Sequence, residues 1–371
     1  MSESSDSAKE GARSLPFIKR EPDKVVSSGQ SEGTMKVTAS HVRFFRRYLQ
    51  DIRGKTVDES AKWHEMTETQ LVFHMREFFA GIKKQSDGTD LQPSYLWNIF
   101  ASLQRELKLQ NGRGSLSSTS VLEIADVLKA VCKELKSKGE GNLPNAKDEL
   151  TQKEIGSLYD EKVAGPHNPR ALLNAMAIVL MFMGVRGDSE LYHVCLGDLT
   201  LKTFDGVRHL VLDKERVTKT RQGKDTRNLR NLPKLPEIPD QPDRCPVRLF
   251  QHMVEKRPGL FNSEGSKLFV RPATTNPKII WPATSKWFYN SPVGIREVAK
   301  LGIKMVNQST INISGRNISN TSFRKFLGSA MLRKGVSTKA MMNQMGHRAA
   351  SSIARYDCTP ADSATKVILQ F

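Results

Sequence analysis

QMGHRAASSIARYD, residues 344–357, is the most informative stretch of this chain. It contains a Gly-His pair, two arginines, and Tyr356 nine positions after His347. No acid precedes its last residue, Asp357, so the segment is strongly cationic. Two interpretations are open, an ordinary basic helix pair and a phosphate site that contains a nucleophile.

The cationic character extends well beyond this stretch. From Val298 to Tyr356 the chain contains no Asp or Glu at all. Because acids serve solubility better than cations do, so long an acid-free run indicates a polyanion-binding surface rather than a solvated face. The cations predicted to contact DNA are Arg316, Lys325, Arg333, Lys334, Lys339 and Arg348.

The composition favours a nucleic-acid partner inside the cell. The 371 residues include 57 Lys and Arg against 39 Asp and Glu, a formal net charge of +18, and counterion release makes phosphates the expected ligands. The sequence contains no basic amphipathic helix with an aromatic face, so it does not indicate binding to a membrane surface. The apolar run 171–183 is too short to span a bilayer. The polar N-terminus predicts no secretory signal. Four cysteines without metal-ligand spacing predict no metal site and fit a reducing compartment: Cys132, Cys195, Cys245 and Cys358.

Four segments are predicted along the chain. Residues 1–38 are polar and are expected to form a disordered tail, in which IKRE at Lys19 matches the hydrophobic-Lys-x-Glu pattern of SUMO conjugation. Residues 39–138 show helical periodicity and predict a small helical bundle. Residues 139–149 have the Gly, Pro and charge content of a linker. Residues 150–371 form the second domain.

The second domain reads as helices, a β-hairpin and more helices, without a βαβ repeat. Thr151 and Glu154 form a capping box, and the apolar run 171–183 predicts a buried core helix. Residues 208–232 alternate on both sides of a turn near residues 222–225, as a hairpin does. The predicted fold class is therefore α+β, mainly helical, with a small hairpin or sheet.

The C-terminal part predicts three short helices. Ser319 and Gly335 delimit the first, and Arg324 lies near its start beside the apolar stripe. Ser337 and Gly346 delimit the second, and residues 347–357 start the third. Short basic helices that end at a glycine are also typical of a helix-turn-helix DNA-binding motif. In that motif Tyr356 would be a core aromatic.

Five motifs follow one another at set intervals through this domain. They are an arginine after an apolar helix, a lysine on a hairpin, an arginine at a helix start, a Gly-His pair, and a tyrosine nine residues later. The stretches and residues are MGVRGDSEL with Arg186 and Glu190, TKTRQGKDTR with Lys219 favoured over Lys224, TSFR with Arg324, GH with His347, and ARYD with Tyr356.

This order and spacing resemble the tyrosine recombinase (phage integrase) family over roughly residues 60–371. The stretches SDGTDLQPSYLWNIFASLQREL, TKTRQG, RCPVRLF, RPGLF and WFYNSPVG are similar to landmarks of eukaryotic Crypton-type recombinases and of host genes derived from them, such as MYM-type zinc-finger proteins. The resemblance implies a core-binding domain at 39–138, a catalytic domain at 150–371, double-stranded DNA as partner, and a tetramer on paired sites. It implies no cofactor and no metal.

The resemblance also implies roles for individual residues. Tyr356 would attack the scissile phosphorus, Arg186 and Arg324 would hold its non-bridging oxygens, and Lys219 would donate a proton to the leaving oxygen. His347 would hydrogen-bond the phosphate or assist proton transfer. The family's first histidine of the His-x-x-Arg motif falls at Thr321, which can donate a hydrogen bond but not carry a charge.

Two functions remain open on this evidence. The first is a site-specific recombinase encoded by, or derived from, a Crypton-like mobile element and acting through a 3′-phosphotyrosine intermediate. The second is a catalytically inactive, domesticated protein that binds nuclear DNA. Retention of the other motif residues favours the first, while Thr321 and the SUMO pattern favour the second and a nuclear location.

Overall fold

The computed structural model describes residues 30, 32–84, 87–110, 116–139, 147–185, 187–214, 232–347 and 349–356. The chain divides into two compact units, Met1–Asn145 and Ala146–Phe371, and the boundary lies inside the predicted linker. Both units are mainly helical and the second contains small antiparallel sheets, so the predicted α+β fold class is confirmed. In the described part of the chain, no helix combines the length and apolar character needed to cross a membrane.

The described part of the first unit is helical, as the sequence predicts. Capping boxes start two of its helices, at Thr56 with Glu59 and at Thr67 with Gln70. Its core is rich in fully buried rings, among them Phe45 and Trp63. The helices are α1 (Glu32–Asp51), α2 (Val57–Ala61), α3 (Glu68–Gly81), α4 (Pro93–Gln110) and α5 (Ser118–Ser137).

Helix α1 begins at Glu32, so the prediction of a disordered tail was wrong for residues 32–38. This part of the sequence has few large apolar residues, which is why it predicts no order. Polar contacts anchor it instead: Arg105 donates to Thr38 at 2.5 Å, and His41 Nδ1 lies 2.8 Å from Ser102 Oγ. Thr38 and His41 are both buried by these contacts.

The second unit combines helices with two small sheets. Its helices are α6 (Gln152–Asp160), α7 (Pro169–Phe182), α8 (Gly187–His193), α9 (Pro246–Lys256), α10 (Ile295–Ala299), α11 (Leu301–Asn307), α12 (Asn320–Arg333) and α13 (Thr338–Met345). Its strands are β1 (Leu199–Phe204), β2 (Val207–Leu212), β3 (Lys234–Pro236), β4 (Val270–Pro272) and β5 (Phe288–Pro292).

Helix α7 is the centre of the second unit. Asn168 caps it, Pro169 occupies its first turn, and all residues from Pro169 to Met181 are buried. The predicted buried core helix is therefore confirmed, as is the capping box of Thr151 and Glu154 that starts α6. Residues 147–149, predicted as the end of the linker, instead hydrogen-bond to the segment 316–317 of this unit.

The predicted hairpin is present in part. Strand β2 coincides with the first predicted strand, and β3 pairs antiparallel with it, just beyond the predicted second strand. The predicted turn near residues 222–225 lies outside the described residues. On its other side β2 pairs with β1 through a tight turn at Asp205 and Gly206, both with positive φ.

The C-terminal helices α12 and α13 are confirmed, and the third predicted helix is not. Residues 350–352 and 354–356 form two 3₁₀ turns. A 3₁₀ turn has three residues per turn, so Ile353 and Tyr356 face the same side, and both are buried there with Met341 and Met345. Packing of Ile353 and Tyr356 against α13 explains why residues 350–356 form 3₁₀ turns instead of an α-helix.

Candidate active site

Arg324 lies in the first half of α12 and is buried, with 6% of its surface exposed. The helix starts on a capping box, in which Ser319 Oγ accepts from the Thr321 amide and Ser322 Oγ accepts from the Ser319 amide. This start sets the rotation of the helix and turns Arg324 inward. The sequence pattern also predicts an inward position, because Arg324 lies beside the apolar stripe of the helix.

The guanidinium of Arg324 joins three segments of the second unit. Its Nη1 donates to the carbonyl of Gly184 at 2.5 Å, just after α7. Its Nη2 donates to the carbonyl of Met345, at the end of α13. Gly184 has a φ of 79°, a left-handed conformation that glycine adopts without strain. The arginine is thus held by backbone groups at fixed positions.

Among the residues that the structure describes, Arg324 has no carboxylate within ion-pair distance. Carbonyl dipoles satisfy its N–H groups, but they do not neutralise its charge. A buried charge is costly unless an opposite charge accompanies it. An anion beside Arg324 would neutralise this charge.

His347 lies beside Arg324 because α13 ends abruptly. Gly346 adopts the left-handed conformation with a φ of 65°, and the His347 amide then donates to the carbonyl of Met342 at 2.9 Å. The imidazole Nε2 lies 3.2 Å from Arg324 Nη2 and 2.9 Å from the hydroxyl oxygen of Tyr356. The predicted Gly-His pair is thus a helix stop that aims its histidine.

Tyr356 completes the cluster. Its hydroxyl oxygen lies 3.4 Å from Arg324 Nε as well as 2.9 Å from His347 Nε2. Its ring is 8% exposed and packs in the small apolar group around α13. The ring therefore packs as a core aromatic does, while the hydroxyl bonds to His347 and Arg324, and the nucleophilic role of Tyr356 stays a prediction.

Donor chemistry indicates which way the protons point. An arginine N–H can only donate, so His347 Nε2 is an acceptor towards Arg324 and the phenolic oxygen is an acceptor towards Arg324 Nε. In that tautomer the Tyr356 hydroxyl donates to His347 Nε2. The imidazole is placed to take the phenolic proton, and the guanidinium is placed to stabilise the phenolate that remains.

Two residues of α12 that the sequence analysis missed hold the tyrosine in place. The Tyr356 ring lies over Gly328, where an added Cβ would stand 2.6 Å from two ring carbons. Next to it, the buried Ser329 Oγ donates to the carbonyl of Tyr356 at 3.1 Å. A glycine inside an otherwise helical pattern was the available signal, because it often marks a close approach.

We predict that Gly328→Ala displaces Tyr356. The new methyl group must push the ring away, and such overpacking costs about 1–3 kcal/mol of the free energy of unfolding. Gly156→Ala in α6 is the matched control, since its Cβ would meet only Asp160 Oδ2 at 3.8 Å. Replacing a helical glycine by alanine should raise the free energy of unfolding of the protein by about 0.5–1 kcal/mol. Chemical unfolding curves measure both, and equal stabilisation by the two variants would contradict this packing.

Gln344 is a third residue that the sequence analysis missed. Its Nε2 donates to the carbonyl of Phe182 at 2.8 Å, near the Arg324 contact at Gly184. Helix α13 is therefore tied to the end of α7 by a side chain as well as through Arg324. Nothing in the spacing of Gln344 could have indicated this bond, which depends on the packing of two helices.

The other predicted site residues are placed as follows. Thr321 is exposed in the first turn of α12, one turn before Arg324. Glu190 is half-buried on α8. Five predicted residues lie outside the described residues and their positions stay predictions: Lys19, Arg186, Lys219, Lys224 and Arg348.

The predicted DNA-contacting cations differ in their surroundings. Arg333, Lys334 and Lys339 are exposed and Lys325 is half-buried. Arg333 pairs with Glu149 at 3.4 Å, whereas Arg316 forms a closer ion pair with Glu154 at 2.5 Å and also donates to the carbonyl of Glu149. The hydrogen bond with Glu154 raises the pKa of Arg316, as expected of a cation held by a carboxylate. Arg316 therefore has a structural role, and its contact with DNA stays a prediction.

Among the described residues, no cluster of three or more His, Cys, Asp or Glu side chains stands where it could hold a metal ion. The site consists of a cation, an imidazole and a phenol.

Comparisons with known proteins add little to this picture. No family model matches the chain, and no curated protein matches it. Among solved structures 24 chains match, one of them described as the crystal structure of XerA recombinase. That chain is 11% identical, with 94% of this chain and 95% of that chain covered, at a TM-score of 0.34. A similarity this low carries no argument about fold or function.

Proposed function

We propose that this chain is a site-specific DNA recombinase that cuts and reseals strands through a 3′-phosphotyrosine intermediate. One observation carries the proposal: a tyrosine hydroxyl, an imidazole and a buried guanidinium without a carboxylate partner meet within 3.4 Å. The surrounding 298–356 segment is free of acids, which suits a DNA backbone.

The chemistry follows from these contacts. The Tyr356 oxygen attacks the scissile phosphorus while His347 Nε2 accepts the phenolic proton. The positive charge of Arg324 stabilises the negative charge that the transition state gathers on the non-bridging oxygens. The bond from phosphorus to the 5′-oxygen breaks, and the phosphate remains on Tyr356. Attack by a 5′-hydroxyl reverses the step and reseals a strand.

Residues outside the described part complete the proposal. Arg186 follows Val185, two positions after the carbonyl that Arg324 binds, and would add a second guanidinium at the phosphate. Lys219, or Lys224 in second place, would protonate the leaving 5′-oxygen from the segment between β2 and β3. A tetramer on paired sites, a nuclear location and descent from a Crypton-like mobile element belong to the same proposal.

The alternative function is a domesticated, catalytically inactive protein that binds nuclear DNA. Thr321 favours it, because this exposed residue stands where the resembling family has a histidine. Both functions predict DNA binding, and only the first predicts a covalent intermediate. The deciding experiment recovers the bound DNA by sequencing and then incubates the protein with a nicked form of that site. A denaturant-resistant protein–DNA adduct supports the recombinase, and its absence with bound DNA supports the alternative.

Binding to duplex DNA should depend steeply on salt. Each phosphate contact releases counterions, so several contacts lower the affinity by about 10³-fold or more between roughly 50 and 200 mM salt. Fluorescence anisotropy of a labelled duplex over a salt series measures the slope. A flat salt dependence would remove DNA as the ligand.

Thr321→His should accelerate cleavage of a nicked site. The wild type lacks one charged donor in the first turn of α12, and a preorganised donor is worth about 2.7–4 kcal/mol, or about 10²- to 10³-fold in rate. The threonine hydroxyl retains part of this, so we expect a gain of about tenfold. Single-turnover cleavage rates of both proteins on identical DNA provide the test. An unchanged rate in a variant that folds and binds normally would place Thr321 away from the phosphate.

A further inference from the structure

An exposed tyrosine on the second small sheet lies between two cations. Tyr289 on β5 is 40% exposed. The guanidinium carbon of Arg271 on β4 lies 5.3 Å from its ring centroid, and Lys286 Nζ lies 5.0 Å from it. Arg271 and Lys286 are exposed as well. We refer to Arg271, Lys286 and Tyr289 as the ribbon surface.

Within the described part of the chain, the cations of the ribbon surface are not paired with acids. Among the described residues, neither Arg271 nor Lys286 has a carboxylate within ion-pair distance. Several other cations of the unit do have one: Lys202 pairs with Asp213, Arg208 with Glu237, Lys214 with Glu264, Arg244 with Asp160, and Lys278 with Glu161. The ribbon surface therefore keeps its positive charge uncompensated.

The sequence around the ribbon explains this. Between Glu264 and Asp357 the chain has a single acid, Glu297, which pairs with Lys304. The acid-free character noted for 298–356 thus extends back through both strands of the ribbon. The positive electrostatic field of this segment attracts polyanions to the ribbon independently of the tyrosine site.

The ribbon surface is also rigidly supported. Trp287 and Phe288, which lie between the exposed Lys286 and Tyr289 in sequence, are buried in the core. The Ala273 amide donates to the carbonyl of Trp287 at 2.8 Å, and the Val293 amide donates to the carbonyl of Phe269 at 2.9 Å. An aromatic ring held between two cations is a known way to contact nucleic acid, by stacking and by phosphate neutralisation.

We infer that the ribbon surface is a second contact for nucleic acid, outside the tyrosine site. Arg271 and Lys286 contact phosphates of the backbone, and the Tyr289 ring packs on an adjacent sugar. The inference rests on the proposed function only in taking nucleic acid as the ligand. The ribbon surface adds binding energy and helps to fix the position of the DNA along the protein. It takes no part in the cleavage step.

The test measures binding of the full chain to a labelled duplex of about 30 base pairs as salt is varied. Arg271→Gln with Lys286→Gln should lower the magnitude of the logarithmic salt slope by about 1.8, at about 0.9 per lost phosphate contact. Affinity near 0.1 M salt should fall by about tenfold or more. Tyr289→Ala should weaken binding at least about fivefold, and Tyr289→Phe, which keeps the ring, should not.

Arg208→Gln with Arg244→Gln is the matched control for the double variant. It removes the same two charges, but each guanidinium is already held by a carboxylate at 2.5 Å. Its slope should stay close to that of the wild type. A ribbon variant that behaves like this control would overturn the inference, whereas a wild type that binds no DNA would overturn the proposed function as well.

A protein-docking role for this region would also overturn the inference. The loop between β4 and β5 carries Ile280, which is 93% exposed. Sedimentation of the wild type and Ile280→Ser measures self-association. Loss of self-association in Ile280→Ser, together with an unchanged salt slope in the ribbon variant, would assign the region to protein contacts.

Discussion

Tyr356→Phe is expected to abolish the covalent protein–DNA adduct while leaving the affinity for duplex DNA within about twofold of wild type, because it deletes only the nucleophilic oxygen. The ring packs over Gly328 and in the apolar group around α13, and phenylalanine preserves both contacts. The hydroxyl is bonded within the site to His347 and Arg324, so its removal takes away no DNA contact on the protein surface. Denaturing electrophoresis of the protein with a nicked site measures the adduct.

Tyr159→Phe controls for the loss of a phenolic hydroxyl in general. Tyr159 is half-buried in the same unit, its pKa is raised by burial, and its ring contacts Arg244. Removing its hydroxyl should leave the adduct unchanged. Adduct formation at the wild-type level in Tyr356→Phe would show that another residue is the nucleophile.

Arg324→Lys should slow adduct formation by about 10²- to 10³-fold although it keeps the positive charge. The guanidinium reaches Gly184, Met345, His347 and Tyr356 simultaneously, and the ammonium group of lysine has no planar fork to do so. At least one buried carbonyl then loses its donor. Each such loss costs about 1–3 kcal/mol, so the variant should also unfold at lower denaturant concentration.

Arg333→Lys is the matched control on the same helix. Arg333 is exposed and pairs with Glu149 at 3.4 Å, a surface ion pair that contributes about 0–1 kcal/mol. It should change neither stability nor adduct formation appreciably. If Arg324→Lys were equally silent, the backbone contacts of Arg324 would not organise the site, and the case for an anion at this arginine would fall with them.

The two readouts of Arg324→Lys separate its roles. A stability loss with normal adduct formation per folded molecule would make Arg324 a structural residue that ties α7, α12 and α13 together. A rate loss well beyond the stability loss would make it a phosphate ligand. The contacts of Arg324 with the Tyr356 hydroxyl and the His347 imidazole favour the second outcome.

The sequence by itself determined the elements on which the site stands. Periodicity and capping residues located α7, α12 and α13, because a helix start is fixed by local groups such as Ser319 and its stop by a left-handed glycine such as Gly346. The acid-free run and the spacing of Arg324, His347 and Tyr356 predicted a phosphate site. These signals are local or compositional, so one sequence contains them in full.

Only the tertiary structure decided how these residues meet. The sequence could not predict that the carbonyl of Gly184 would receive Arg324, or that Gly328 would make room for the Tyr356 ring, because both depend on how α7, α12 and the C-terminal turns pack. It also predicted a third helix where packing of Ile353 and Tyr356 produces 3₁₀ turns, and it did not predict the ion pair of Arg316 with Glu154. Contacts between residues distant in sequence leave no local pattern, since their geometry exists only once the chain is folded.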